Sequence, residues 1–110
     1  MEKIRQITVS TPIEILWTNA AIKSFDKIIE YLEANWTPKE VKQLIEATTQ
    51  FLSVLQSHPE MCRPSQKRKH VRIGILNKQT QLIYHYKPRK HQIVVLLFWA
   101  FKQNPDKLRY

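Results

Sequence analysis

The sequence contains only one glycine and one cysteine, and these scarcities exclude several kinds of site. A single glycine, Gly74, cannot supply the glycine-rich loop of a P-loop or of a dinucleotide-binding fold. A single cysteine, Cys62, can form neither an intrachain disulfide nor a cysteine-based zinc site, and no reactive-thiol motif surrounds it. We therefore predict no cofactor, an unreactive Cys62 and a reducing compartment.

Long apolar runs are also missing. The longest, residues 93–101, has nine residues, whereas a membrane-spanning helix needs about 20. The first residues, MEKIRQITVSTPIEILW, mix charges with short apolar runs and lack the apolar block of a signal peptide. These absences predict a cytoplasmic protein with no membrane partner.

Acidic residues are scarce in the second half of the chain. Residues 58–110 contain twelve Lys or Arg and two Asp or Glu, whereas residues 1–57 contain six and seven. A net charge of +10 on the second half attracts phosphate backbones or acidic protein segments, and salt weakens that attraction. The alternative is a lysine-rich surface that only keeps the protein soluble. Because the basic half has no paired carboxylates to hold magnesium, we predict no metal site.

The first half has the periodicity of two helices. Apolar residues recur at spacings of three and four between Thr18 and Trp36, which predicts an amphipathic helix capped by Thr18 or Asn19. In TPKE, residues 37–40, a Thr N-cap, a Pro at the first helical position and a Glu at the third form a capping box. A second helix is predicted from there to residues 57–59. With no spacer between them, the two helices should form a hairpin.

The apolar period changes to two after a polar connector. Three short runs, residues 71–75, 81–86 and 93–98, are separated by links of hairpin length and predict an antiparallel meander. An earlier strand within residues 13–18 is expected to pair with the sheet. The predicted fold class is α+β, with an N-terminal strand and an α-helical hairpin packed on one face of an antiparallel sheet that ends in a three-strand meander. One domain is predicted over residues 1–110, with the order of residues 1–12 left open.

Side-chain alternation along the strands assigns residues to the two faces of the meander. The residues predicted to face the helices are Val71, Ile73, Ile75, Leu82, Tyr84 and Tyr86. The residues predicted to face away from the helices are Arg72, Gln81, Ile83 and His85, with space left by Gly74. The cations predicted to surround this second set are Arg68, Lys69, Lys87, Arg89, Lys102, Lys107 and Arg109. This arrangement predicts a basic binding surface on the open side of the sheet.

The order of elements resembles that of a known family of small toxins. Together with the segments WTNAAIKSFDKIIEYLEANW, VRIGIL, QLIYHYKPRKHQIVVLLFW and FKQNPDKL, it resembles the RelE/ParE superfamily of type II toxin-antitoxin modules over residues 15–108. The resemblance implies a toxin that inhibits growth, serves plasmid stabilisation and is neutralised by the acidic segment of a cognate antitoxin. It also implies one of two targets, because ParE-like members bind DNA gyrase and RelE-like members cleave mRNA in the ribosome.

Metal-independent RNA cleavage needs a base, a fixed cation and an acid. The arginine that opens the middle meander strand of RelE-like members corresponds to Gln81, which removes a phosphate clamp. If the chain is a nuclease, the resemblance implies catalytic roles for His85, Lys102 and Tyr110. His58, His70 and His91 are predicted to have no role, and Trp99 and Phe101 either stack on a base or partner or pack in the core.

Three hypotheses follow. The first is a toxin that binds DNA gyrase, favoured by Gln81 and the incomplete catalytic set. The second is a ribosome-dependent mRNA endonuclease, favoured by the cations, and the third is a non-toxic module that retains antitoxin binding. The residues predicted to bind the target or RNA are Arg68, Lys69, Arg72, Lys87, Arg89, Lys102 and Arg109.

Overall fold

The computed structural model describes residues 12–100, which form two α-helices and one five-stranded sheet. The elements are β1 (Glu14–Trp17), α1 (Asn19–Asn35), α2 (Pro38–Ser57), β2 (Arg63–Pro64), β3 (Val71–Ile75), β4 (Thr80–Lys87) and β5 (Gln92–Ala100). A 3-10 turn, Pro88–Lys90, connects β4 to β5. The predictions for residues 1–11 and for Lys102, Lys107, Arg109 and Tyr110 lie outside the described residues.

The strands lie in the order β1-β5-β4-β3-β2. Strands β3, β4 and β5 form the predicted antiparallel meander. Strand β1 joins β5 in parallel, so the sheet is mixed, and the two-residue strand β2 adds an antiparallel edge inside the connector. The α+β architecture, with two helices on a sheet, is confirmed.

Both predicted helix starts are confirmed by their hydrogen bonds. The Thr18 hydroxyl accepts the backbone N–H of Ala21 at 3.0 Å, and it also lies 3.1 Å from the carbonyl oxygen of Val95, which ties the start of α1 to β5. The Glu40 carboxylate accepts the backbone N–H of Thr37 at 2.9 Å, as a capping box requires. Neither helix in residues 12–100 is long and apolar enough to cross a membrane.

The main core lies between the helices and the sheet. Its buried residues are Ile13, Ala21, Leu55, Leu82, Tyr84, Ile93, Val95 and Phe98. Three aromatic rings join β1, α1 and β5 at its centre, since Phe98 lies 5.0 Å from Trp17 and 4.9 Å from Phe25 between ring centroids. The prediction that Leu82 and Tyr84 face the helices is therefore correct.

The face predicted for β3 is wrong. Directly paired residues of antiparallel strands share a face, and β3 pairs Val71 with His85 and Ile73 with Ile83. Val71, Ile73 and Ile83 form a second buried cluster, separate from the helix-side core. Ile75 has the same alternation and therefore also points away from the helices. Because the side-chain period of a strand is two, a shift of one residue reverses every assignment.

Arg72 and Gly74 consequently face the helices, which corrects the prediction for both. The Arg72 guanidinium donates hydrogen bonds to the carbonyl oxygens of Cys62 at 2.7 Å and Glu60 at 3.1 Å. These bonds hold the α2–β2 connector against the sheet and satisfy a half-buried cation. Because Gly74 has no side chain, Phe51 of α2 can pack against it. The glycine therefore allows helix packing and does not create the space that was predicted on the open face.

Substitution of Gly74 with alanine is expected to lower the free energy of unfolding by about 1–3 kcal/mol, because the core is overpacked there. An added Cβ would lie 2.4 Å from Cζ of Phe51 and 2.9 Å from Sγ of Cys62. Urea unfolding of the Gly74→Ala variant measures the loss. The double variant Gly74→Ala/Phe51→Leu should lose less stability than the sum of the two single losses, since leucine removes the clashing ring atom. Additive losses in the double variant would show that Phe51 is not the obstacle.

Candidate interaction surface on the open sheet face

The open face is the side of the sheet opposite the two helices. By strand pairing it comprises Glu14, Leu16, Arg63, Val71, Ile73, Ile75, Gln81, Ile83, His85, Lys87, Gln92, Val94, Leu97 and Trp99. Its centre is apolar and closed, since Val71 and Ile83 are fully buried and the partly buried Leu96 and Leu97 pack against them. The prediction that Arg72 lies on this face is wrong, since Arg72 pairs with Tyr84 on the helix side of the sheet.

Two apolar side chains remain exposed at opposite margins of the open face. Ile75, near the end of β3, is 62% exposed, and Leu16, on the edge strand β1, is 38% exposed. Apolar anchors beside a buried apolar centre are typical of surfaces that bind proteins. The open face thus has exposed apolar side chains at two of its margins.

His85 lies on the open face beside an unexpected neighbour. His70 precedes β3 in a left-handed conformation, with φ of 65°. Its ring stacks on that of His85, with 6.2 Å between centroids and 10° between ring planes. Burial lowers the pKa of His85, and the nearby charges of Lys87, Arg68 and His70 lower it further. His85 is therefore neutral at pH 7 and able to accept a proton.

The structure groups only some of the predicted binding cations. Lys87 follows His85 on the same face of β4, and Arg68 in the connector is near enough to affect the same imidazole. Lys69 and Arg89 are exposed, in the connector and in the β4–β5 turn. Arg72 lies on the other side of the sheet, where it is bound to the connector. The remaining predicted binding cations, Lys102 and Arg109, lie outside the described residues, as does the predicted acid Tyr110.

The prediction from sequence missed His70, and no signal in the sequence identifies it. Its position depends on a positive backbone φ, which histidine adopts less readily than glycine. The pairing of His85 with Val71, in contrast, follows once the β3–β4 hairpin register is known. His70 and His85, with Arg68 and Lys87, form what we call the histidine cluster.

Cys62 is half-buried on the helix side of the sheet, away from the open face. Burial raises the pKa of its thiol above the ordinary value, so the unreactive protonated form dominates at neutral pH. Burial likewise raises the pKa of the Tyr84 phenol, whose hydroxyl donates to the carbonyl oxygen of Pro59 at 2.7 Å. Among residues 12–100, no group of His, Cys, Asp or Glu side chains is placed to hold a metal ion.

Replacement of His85 with glutamine is expected to flatten the pH dependence of stability between pH 7.5 and about 5.5. The folded-state pKa of His85 lies below the ordinary histidine value, about 6.5. The unfolded chain therefore binds the proton more tightly, and wild-type stability falls as the pH drops through this window. Urea unfolding at both pH values measures the effect, with His58→Gln at the exposed end of α2 as control. If the free energy of unfolding changes equally between the two pH values in the wild type and in His85→Gln, the prediction is contradicted.

The helical hairpin packed on the five-stranded mixed sheet defines a small α+β domain. Among solved structures, the chain resembles the chromosomal ParDE toxin-antitoxin system from P. aeruginosa, with a TM-score of 0.66 and 19% identity over 80% of this chain and 95% of that chain. It also resembles the toxin-antitoxin complex RelBE2 from Mycobacterium tuberculosis, with a TM-score of 0.57 and 15% identity over 82% of this chain and 99% of that chain. At these identities the likeness shows the fold.

The family is shown by the sequence match. Residues 15–104, most of the chain, match the family described as ParE toxin of type II toxin-antitoxin system, parDE. No curated protein matches the sequence. The chain therefore belongs to the ParE toxin family of type II toxin-antitoxin systems, and the predicted membership of the RelE/ParE superfamily is confirmed.

Proposed function

We propose that this chain stops growth by binding DNA gyrase and that a cognate antitoxin neutralises it. The observation that carries the choice of target is the position of Arg72, one of the cations predicted to bind RNA on the open face. Arg72 lies on the helix side, where the carbonyl oxygens of Glu60 and Cys62 hold its guanidinium. Binding of a protein target does not require this arginine, whereas RNA cleavage needs a fixed cation to stabilise the charged phosphorane.

The rest of the open face also favours a protein partner. Its centre is filled by buried apolar side chains, and Gln81 occupies the strand position at which RelE-like members carry a phosphate-clamping arginine. Ile75 offers an apolar side chain that a partner could desolvate. These features favour binding of a protein surface over binding of an RNA strand. The antitoxin partner is supported by the two similar solved structures, which are toxin-antitoxin assemblies.

Controlled expression of the chain alone tests the proposal. We expect growth arrest together with DNA damage signalling, and we expect the purified protein to inhibit supercoiling by purified gyrase. Co-expression of the antitoxin should restore growth. Arrest with normal supercoiling and no damage signalling would reject gyrase as the target. Normal growth at confirmed soluble expression would favour the non-toxic module instead.

The histidine cluster is the specific observation that favours the second candidate, an mRNA endonuclease. His85 is neutral at pH 7 and stacked on His70, so it could take a proton from a 2′-hydroxyl. This candidate predicts codon-positioned cuts in translated mRNA during arrest, lost in His85→Gln and retained in His58→Gln. Intact transcripts during arrest would exclude it.

A further inference from the structure

One end of the sheet has a concentration of positive charge. Because Val71 pairs with His85, the connector of residues 65–70 and the β4–β5 turn of residues 88–91 lie at the same end. We call this surface the basic end, and its cations are Lys67, Arg68, Lys69, Lys87, Arg89 and Lys90. All of them are exposed except Lys87, which is half-buried.

The acidic residues close to the basic end are already engaged. Residues 61–100 contain nine Lys or Arg and no Asp or Glu. The Glu14 carboxylate, at the start of β1, accepts a hydrogen bond from the side-chain amide of Gln92 at 3.0 Å. The Glu60 carboxylate lies 3.7 Å from the Arg72 guanidinium on the helix side of the sheet. The basic end therefore favours an anionic partner.

The titration of His85 responds to the same positive charge. Burial lowers the pKa of His85, and the charges of Lys87, Arg68 and His70 lower it further. Arg68 of the connector and Lys87 of β4 thus act on one imidazole, which places the cations of the two segments within electrostatic range of each other.

Both loops are held by backbone hydrogen bonds. In the connector, the N–H of Ser65 donates to the carbonyl oxygen of Val71 at 2.8 Å, and the Ser65 hydroxyl accepts the N–H of Lys67 at 3.0 Å. The turn is tied to β1, since the carbonyl oxygen of His91 accepts the N–H of Glu14 at 3.1 Å. A partner therefore meets cations on a backbone that needs little ordering.

We propose that the basic end binds the phosphate backbone of duplex DNA without regard to base sequence. Residues 65–70 and 88–91 contain no Phe, Tyr or Trp on which the bases of a single strand could stack. They also contain no Leu, Ile, Val or Met to anchor a protein partner. Lysine and arginine without such side chains are the composition of a phosphate contact.

The spacing of the two loops also suits a duplex. Neighbouring strands are about 4.8 Å apart, so the connector at β3 and the turn after β4 are separated by about 5–10 Å, comparable with the minor-groove width of about 6 Å. Their cations can therefore contact phosphates on both sides of one groove. Ile75, the proposed gyrase contact, lies at the other end of β3. The inference thus goes beyond the proposed function and needs no gyrase.

Fluorescence anisotropy of the full chain with a short labelled duplex tests the proposal. With about five phosphate contacts, the affinity should fall about 500-fold between 50 and 200 mM salt, and a duplex of unrelated sequence should bind equally well. Unlabelled duplex should compete better than single-stranded RNA or polyglutamate of equal total charge. Duplex DNA carries one charge per about 1.7 Å, whereas an extended acidic chain carries one per about 3.3 Å.

Two double variants locate the contact. Lys69→Gln/Lys90→Gln should lower the slope of log affinity against log salt by about two, one unit for each lysine. Lys23→Gln/Lys42→Gln removes the same charge from exposed positions on the helices and should keep the wild-type slope. Neither variant changes the histidine cluster.

Three results would each overturn the proposal: no binding at about 50 mM salt, equal losses in the two variants, or stronger competition by RNA or polyglutamate than by duplex DNA. The last result would assign the basic end to RNA or to an acidic protein segment. Because gyrase is absent from the assay, a failure here leaves the proposed growth arrest through gyrase standing.

Discussion

Replacement of Phe98 with alanine is expected to lower the free energy of unfolding by about 3–5 kcal/mol. Phe98 is 1% exposed, and its ring contacts both Trp17 of β1 and Phe25 of α1. Removing it leaves a cavity where the parallel edge strand, the first helix and the central strand β5 meet. Aromatic pairs add about 0.5–1.5 kcal/mol each beyond the area they bury, so the loss should lie toward the upper end of that range.

Urea unfolding followed by circular dichroism measures this loss. A domain of this size has a total stability of about 5–15 kcal/mol, so Phe98→Ala should be partly unfolded or close to it at 37 °C. Ile22→Ala is the control, because Ile22 is 46% exposed on α1 and its truncation should change stability by no more than about 0.5 kcal/mol. A loss below about 2 kcal/mol for Phe98→Ala would show that the contacts among the three rings are not a main source of the stability of the core.

The aromatic cluster shows why the architecture could be predicted from the sequence. Phe25 belongs to an apolar stripe of period 3.6 and Phe98 to an apolar run of strand length, so each residue's element was visible locally. The capping box at Thr37 and the Thr18 cap marked the helix starts in the same local way. Patterns of this kind depend on the nearest few residues, and the structure confirms them.

The face of β3 could not be predicted because both faces of the sheet are apolar at its centre. An alternating strand reveals its buried side only where the other side is polar, and in β3 both Val71 and Gly74 are buried. Arg72 looked like the exposed position. Its true partners are backbone carbonyl oxygens of the connector, which leave no mark in the sequence pattern.

The predicted strand within residues 13–18 is confirmed as β1, but the other edge strand, β2, and the parallel pairing of β1 with β5 were missed for a related reason. Strand β2 is only two residues long and contains Pro64, so neither length nor composition indicates a strand. The parallel pairing of β1 with β5 joins residues almost eighty positions apart, and no local pattern encodes it. The stacking of His70 on His85 likewise depends on a left-handed residue and on tertiary placement.

The change from isoleucine to glutamate at position 75 is expected to abolish growth arrest while the fold is retained. Ile75 is the most exposed of the large apolar side chains in residues 12–100, and it lies on the open face two residues from the buried Ile73. Burial of one such side chain contributes about 1.5–3 kcal/mol, and an unpaired carboxylate in a docked interface costs more. Gyrase binding should therefore weaken by a factor of about 30 to 1,000.

Ile22→Glu is the matched control for Ile75→Glu, because Ile22 is 46% exposed on the opposite side of the molecule. Both variants should unfold at wild-type urea concentrations, since each replaces a side chain that is already largely in water. If both arrest growth and inhibit gyrase like the wild type, the open face is not the docking surface. If Ile75→Glu still arrests growth and His85→Gln does not, the chemistry belongs to the histidine cluster and the target is RNA. Loss of arrest in Ile75→Glu alone ties toxicity to an apolar contact, which a protein target provides and a phosphate backbone does not.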